Sequence, residues 1–184
     1  MSHKPYLVGI AGGTCSGKST LTTKLEELFS DVSPVVIHMD SYYIRPLKNT
    51  IAQITGKEYC DMNHPDALDI QKIIEDFNSA ADDPDNRLVI VEGLFALYVP
   101  EIVKRLDLKV LVDLKSDERL VRRLKRHMNW GYTFEAVTDR YLDTVRFRHD
   151  ELIEPTRWRA DVVFNGMLAG KETEILSTYI RSNL

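Results

Sequence analysis

Two rhythms of apolar residues alternate along this chain. Runs dominated by apolar or β-branched residues occupy residues 6–11, 35–39, 87–91, 108–113 and 161–164, and short runs of this kind bounded by turn residues read as buried strands. Between them the apolar positions recur at helical spacing. Residues 21–29 read as a helix, as do 66–80, where Leu68, Ile70, Ile73, Ile74 and Phe77 form the stripe. Further helices are predicted over 100–106 (short), 116–129, 133–153 and 171–180. Asp31-Val32-Ser33-Pro34 and Asp82-Asp83-Pro84-Asp85-Asn86 break the pattern as turns. Residues 44–65 are polar and without periodicity, with Gly56 and two prolines, and read as a loop region with room for one short helix. Strands alternating with helices predict an α/β fold: a doubly wound parallel sheet of about five strands covered on both faces.

The length of 184 residues suits one domain spanning 1–184. A net charge of −4 gives no support for a nucleic-acid or membrane-surface binder, and nothing approaches the ~18 apolar residues of a membrane span. Met1-Ser2-His3-Lys4-Pro5 lacks the apolar segment of a secretory leader. Two cysteines, Cys15 and Cys60, make neither a disulfide framework nor a metal cluster. A cytoplasmic protein is the simplest reading. No repeat or low-complexity tract is present.

The strongest signal lies between the first strand and the first helix. Gly12-Gly13-Thr14-Cys15-Ser16-Gly17-Lys18-Ser19-Thr20 fits G-x-x-x-x-G-K-S in the strand–loop–helix context that such a match requires. Glycines at 12, 13 and 17 let successive backbone N–H groups converge on phosphate oxygens, and the following helix adds its positive N-terminus. Lys18 reaches the β- and γ-phosphates and the Ser19 hydroxyl suits a Mg²⁺ ligand. The chain is expected to bind a nucleoside triphosphate.

Other candidates carry two readings each. Glu92, ending the 87–91 strand, is a metal-organising acid or a turn residue. Asp40, ending the 35–39 strand, is a base that takes a hydroxyl proton or a helix cap. Arg119, Arg122, Arg123 and Arg126 share one helical face; the face is solvated, or it is a lid (residues 116–132) closing over the triphosphate. His64 is a capping residue or a substrate contact. Trp130 and Trp158 read as packing residues.

Asp40-Ser41-Tyr42-Tyr43, Asn63-His64-Pro65-Asp66-Ala67-Leu68-Asp69, Val91-Glu92-Gly93-Leu94, Glu154-Pro155-Thr156 and Ala160-Asp161-Val162-Val163 occur in order behind the phosphate loop. With them the chain resembles the uridine kinase family over residues 6–166. The resemblance implies transfer of the γ-phosphoryl group of ATP, with Mg²⁺, to the hydroxyl of a small-molecule acceptor, typically the 5′-hydroxyl of a nucleoside. It implies Asp40 as the base, also near the metal, and Ser19 and Glu92 as Mg²⁺ organisers. Arg122, Arg123 and Arg126 take the lid positions near the phosphates. Tyr43 and the stretch from Met62 through Asn63 and His64 to Asp66 form the acceptor wall. No nucleic-acid or membrane partner is implied, and a homo-oligomer is left open.

The departures bear on the acceptor. The family reads N-[FY]-D-H-P where this chain has Asn63 in place of the ribose-binding Asp, which removes a charge-assisted bond to a diol. Only residues 79–86 separate the helix from the Glu92 strand, too few for the family's base-contacting hairpin at that place. The lid shows Trp130-Gly131-Tyr132 instead of R-G-R. A nicotinamide riboside kinase-like or other small-alcohol kinase is the nearest rival. A nucleotide-dependent switch with slow hydrolysis belongs to another class; its GTPase form is weakened because no N-K-x-D motif is present.

Overall fold

The computed structural model describes residues 4–167 and 170–184. Met1-Ser2-His3, where the leader was sought, lie outside the described residues. In chain order the elements are β1 (Tyr6–Gly12), α1 (Lys18–Leu28), β2 (Val35–His38), β3 (Asn49–Ile51), β4 (Glu58–Cys60), α2 (Ile70–Asp82), β5 (Leu88–Gly93), α3 (Pro100–Val103), β6 (Leu108–Asp113), α4 (Ser116–Asn129), α5 (Phe134–Arg140), α6 (Arg146–Arg148), β7 (Val162–Asn165) and α7 (Lys171–Arg181). The main sheet has five strands in the order β2-β5-β1-β6-β7, and every pairing in it is parallel.

Successive residues of a strand face opposite sides, and both sides of this sheet are covered. Leu7, Val89 and Val91 pack with Ile73 and Phe77 of α2 in one core. Val8, Ile10 and Ile90 pack with Leu21 and Leu25 of α1, Phe29 at its C-terminal end, and Leu176 and Ile180 of α7 in the other. Burial on both faces is why these strands read as continuous apolar runs. β1 lies between β5 and β6, so the chain leaves it in both directions, and the crevice above the strand C-termini receives the loop after β1.

Three expectations need correction. Residues 44–65 are not merely loop: β3 and β4 form an antiparallel hairpin with Asn49 opposite Cys60 and Ile51 opposite Glu58. Distant residues hold it. Lys57 Nζ meets Asp139 at 2.7 Å, and Thr55 Oγ1 and Tyr59 OH donate to Asp143 at 2.6 and 2.8 Å. A hairpin fixed this way needs no apolar alternation of its own. The helix expected from residue 66 begins at Ile70, because the Asp69 side chain accepts from Lys72 N at 3.0 Å and Pro65–Ala67 form a separate 3-10 turn. Trp130 and Trp158 are 62% and 88% exposed and so are not core residues. Trp130 instead caps α4 with its ring beneath the Arg126 guanidinium, 5.3 Å away.

The long helix expected over 133–153 is present, started by Thr133 Oγ1 accepting from Ala136 N. Its turns widen to π geometry at Tyr141–Val145 and His149–Ile153, a distortion frequent at functional sites.

Candidate active site

The phosphate-binding loop joins β1 to α1. Gly17 is the N-cap of α1 at φ 108, a left-handed conformation that a side chain would strain. Cys15 also takes positive φ (59) without being glycine. Gly13 is needed for space: a Cβ there would come within 2.8 Å of Arg119 Nη1 and 2.9 Å of His149 Nδ1. Lys18 and Ser16 are buried, with Ser16 N closing a turn onto Gly13 O at 3.1 Å. A cavity of about 190 Å³ opens above the loop, lined by Cys15, Gly17, Lys18, Ser19, Thr20, Arg122 and Arg126.

Parallel register builds the acidic corner beside it. Glu92 lies opposite Ile10 of β1 and His38 of β2. Its carboxylate, on a residue 2% exposed, accepts from Ser19 Oγ at 3.2 Å and lies 3.4 Å from His38 Nδ1. Glu92 is thus a buried residue at the loop and not a surface turn. Among the described residues no group of three or more His, Cys, Asp or Glu side chains could hold a metal alone. A hydroxyl and one buried carboxylate fit Mg²⁺, which is usually held by one or two carboxylates together with substrate phosphates.

The arginine face divides. Arg119 and Arg123 are buried, Arg122 is half-buried and Arg126 is exposed. Arg123 Nη1 donates to Thr14 Oγ1 at 3.0 Å, Arg122 Nη1 to Gly166 O at 3.0 Å and Arg119 Nε to Leu114 O at 2.9 Å. Burial pulls the Arg123 pKa down to about 10, so it stays charged at neutral pH. The helix is therefore packed onto the phosphate loop through its basic face.

Asp40 lies in the 3-10 turn Met39–Tyr42 that follows β2; it is exposed and its carboxylate has no hydrogen-bond partner among the described residues. Tyr43 OH donates to Met62 O at 3.0 Å. Burial raises the Tyr43 pKa strongly; Asp40 raises it further, Arg123 opposes and Asp61 adds. His64 Nδ1 accepts from Asp66 N at 3.2 Å, and Asp66 pairs with Lys48 at 3.2 Å. Asn63 N donates to Asp61 Oδ1 at 3.1 Å.

Sequence reasoning missed several residues here. Asp61 is buried and paired with Arg148 Nε at 2.9 Å. His38 needs the β2–β5 register to meet Glu92, and no local pattern announces it. A second cavity of about 320 Å³ is lined by Lys57, Tyr59, Arg123, His127, Tyr132, Ala136, Val137, Asp139 and Arg140. Arg140 Nη2 donates to Cys60 O at 2.6 Å, a contact that only the hairpin creates.

Residues 75–171 match the family model described as Phosphoribulokinase / Uridine kinase family. The chain belongs to this family. It is 34% identical over 185 aligned residues to a uridine kinase from Clostridium botulinum, with 87% of each chain covered. It is 32% identical to a uridine kinase from Oceanobacillus iheyensis, covering 88% of this chain and 86% of the relative. A solved phosphoribulokinase from Rhodobacter spheroides superposes with a TM-score of 0.66 at 18% identity, covering 88% of this chain and 70% of that one. The family member is accordingly a phosphotransferase acting on a hydroxyl group, built on a P-loop nucleotide-binding fold that implies ATP use. None of its described helices is long and apolar enough to cross a membrane.

Proposed function

We propose that this enzyme transfers the γ-phosphoryl group of ATP to the 5′-hydroxyl of a nucleoside, in the manner of a uridine kinase. The observation that carries the reading is the Ser19–Glu92 corner at 3.2 Å beside a cavity edged by Lys18, Arg122 and Arg126. Lys18 and the loop N–H groups bind the triphosphate, and Arg122, Arg123 and Arg126 balance charge on it. Ser19 and Glu92 would hold Mg²⁺, which would supply positive charge against the triphosphate. Asp40, with no protein partner for its carboxylate, accepts the proton of the acceptor hydroxyl as its oxygen bonds to the γ-phosphorus and the bond to the leaving ADP oxygen breaks. Tyr43, Met62, Asn63, His64 and Asp66 belong to the acceptor side.

The names of the curated relatives support a nucleoside as acceptor. The substitution at Asn63 favours, as the second reading, a nicotinamide riboside kinase-like enzyme with another alcohol. A cytoplasmic enzyme acting on free small molecules agrees with the two free cysteines, one of them in the phosphate loop.

The test is ADP release with ATP and Mg²⁺ against uridine, cytidine, nicotinamide riboside, pantothenate and simple sugars. Stimulation by a pyrimidine nucleoside is expected. Stimulation by a non-nucleoside alcohol alone removes the nucleoside reading and leaves the phosphotransferase. Slow ADP release that no acceptor stimulates would favour a nucleotide switch.

A further inference from the structure

Arg140 and Arg148 stand eight positions apart on the long helix that includes α5 and α6. In an unbroken α-helix of about 3.6 residues per turn, that separation leaves two side chains ~80° apart around the axis. A π turn takes up one extra residue and rotates everything after it back by ~100°, which brings such a pair to within ~20°. The π turn Tyr141–Val145 lies between these two arginines. They reach adjacent residues of the chain: Arg140 Nη2 donates to Cys60 O at 2.6 Å and Arg148 Nε to Asp61 Oδ2 at 2.9 Å. The widened turn thus gives the helix one face with two guanidinium grips, both closed on the end of β4.

Asp61 is the centre of this hold. Its side chain is 7% exposed, against 25% for Arg148. Both of its oxygens are used, Oδ1 accepting from Asn63 N at 3.1 Å while Oδ2 takes Arg148. Its own N donates to Lys48 O at 3.0 Å, across the mouth of the hairpin. Arg148 is braced in turn, with Nη1 on Glu151 Oε2 at 2.8 Å. At the next residue, Met62 O accepts from Tyr43 OH at 3.0 Å, and Tyr43 closes the 3-10 turn that carries Asp40. Cys60, Asp61 and Met62 are therefore gripped in succession from two distant places, the helix and the turn of Asp40.

A buried ion pair is a poor source of stability, because desolvation offsets the attraction and apolar residues of similar volume often serve as well. What this pair supplies is direction. A carboxylate bonded through both oxygens fixes the course of the chain as it leaves β4, and that course decides where residues 62–66 lie relative to Asp40. We propose that Asp61 and Arg148 are positioning residues for phosphoryl transfer: their pair, aligned by the π turn, fixes residues 62–66 against the turn of Asp40 so that the acceptor hydroxyl is presented to that base. The proposal rests on the nucleoside reading above, in which Tyr43, Met62, Asn63, His64 and Asp66 belong to the acceptor side.

The test is steady-state kinetics on uridine and on ATP, with Mg²⁺, together with the thermal midpoint of each variant. Asp61→Asn combined with Arg148→Met removes both charges, so that neither is left buried alone. This variant should keep KM for ATP while kcat/KM for uridine falls about 10–100-fold, the scale of a misplaced reactant. Arg148→Lys keeps a cation beside Asp61 and should retain most of the wild-type value. Arg148→Gln, at the more exposed partner, is the further variant should the double one fold poorly, and it should show the same selective fall. An unchanged kcat/KM for uridine overturns the proposal. So does a loss shared equally by the uridine and ATP constants alongside a lowered thermal midpoint, the result that a merely structural pair would give. Either outcome leaves the nucleoside kinase standing. A wild-type enzyme that phosphorylates no nucleoside overturns the nucleoside reading and this inference with it.

Discussion

Arg123 Nη1 donates to Thr14 Oγ1 at 3.0 Å, joining α4 to the phosphate loop across 109 positions of sequence. The guanidinium is buried, its Nε has no partner among the described residues, and burial, helped by Arg126 and Arg140, pulls its pKa to about 10. A cation kept buried without a carboxylate costs stability until an anion arrives. Arg123→Gln should therefore leave the thermal midpoint of the free protein unchanged or higher while lowering kcat/KM for ATP about 10²-fold, the scale of one lost transition-state donor. Paired thermal-shift and kinetic measurements check this. A variant that loses stability but not activity would show Arg123 to be structural only.

Ser19 Oγ donates to Glu92 at 3.2 Å at the C-terminal edge of β5. Glu92→Gln keeps the volume and can still meet Ser19, but it removes the charge that a divalent cation needs. Activity should fall about 10–100-fold, as for losses around metal sites, and half-maximal rate should require more Mg²⁺. Rate against Mg²⁺ concentration is the measurement. A drop with an unchanged Mg²⁺ requirement would detach Glu92 from the metal.

Asp40 has an exposed carboxylate with no protein partner among the described residues, and its charge helps to raise the Tyr43 pKa. Asp40→Asn preserves shape and abolishes basicity. The expected loss in kcat is about 10²–10⁴-fold, typical of a missing general base, with ATP affinity retained by equilibrium titration. Wild-type turnover in this variant would eliminate Asp40 from the mechanism.

What could be read from the sequence follows from where each element finds its partners. β1, β5 and β6 are covered on both faces, so their residues are mainly apolar, and α4 matches its expected bounds because its opening Ser116-Asp117-Glu118 is a local signal. The β3–β4 hairpin is held by Asp139 and Asp143, more than 80 residues away, and leaves no periodic trace. The phosphate loop is legible because its spacing is its mechanism. The meeting of His38 with Glu92 depends on strand order, which alternation of elements does not specify. Arg119, at 3% exposure, shows the same limit: an arginine row on a helix looks solvated until the loop that covers it is in place.

The two histidines near the basic face predict an acid sensitivity of a defined kind. Burial is the largest cause lowering the pKa of both. Arg123, Arg126 and Arg140 add to it at His127, bringing that group to about 4, and Arg119 adds to it at His149, opposed there by Glu154, Asp150 and Asp113. In the unfolded chain each titrates near the ordinary value of about 6.5. Between that pH and the folded value the unfolded state binds more protons, so stability rises with pH through this window and is lost as pH falls through it. The carboxylates held below their usual 3.8, Asp31, Asp76, Asp82 and Asp143, lose their contribution to stability only as pH falls below this window. The urea midpoint should thus drop from pH 7.5 to pH 5, and His127→Gln combined with His149→Gln should flatten that drop. A slope unaffected by the double substitution would place the acid sensitivity elsewhere in the molecule.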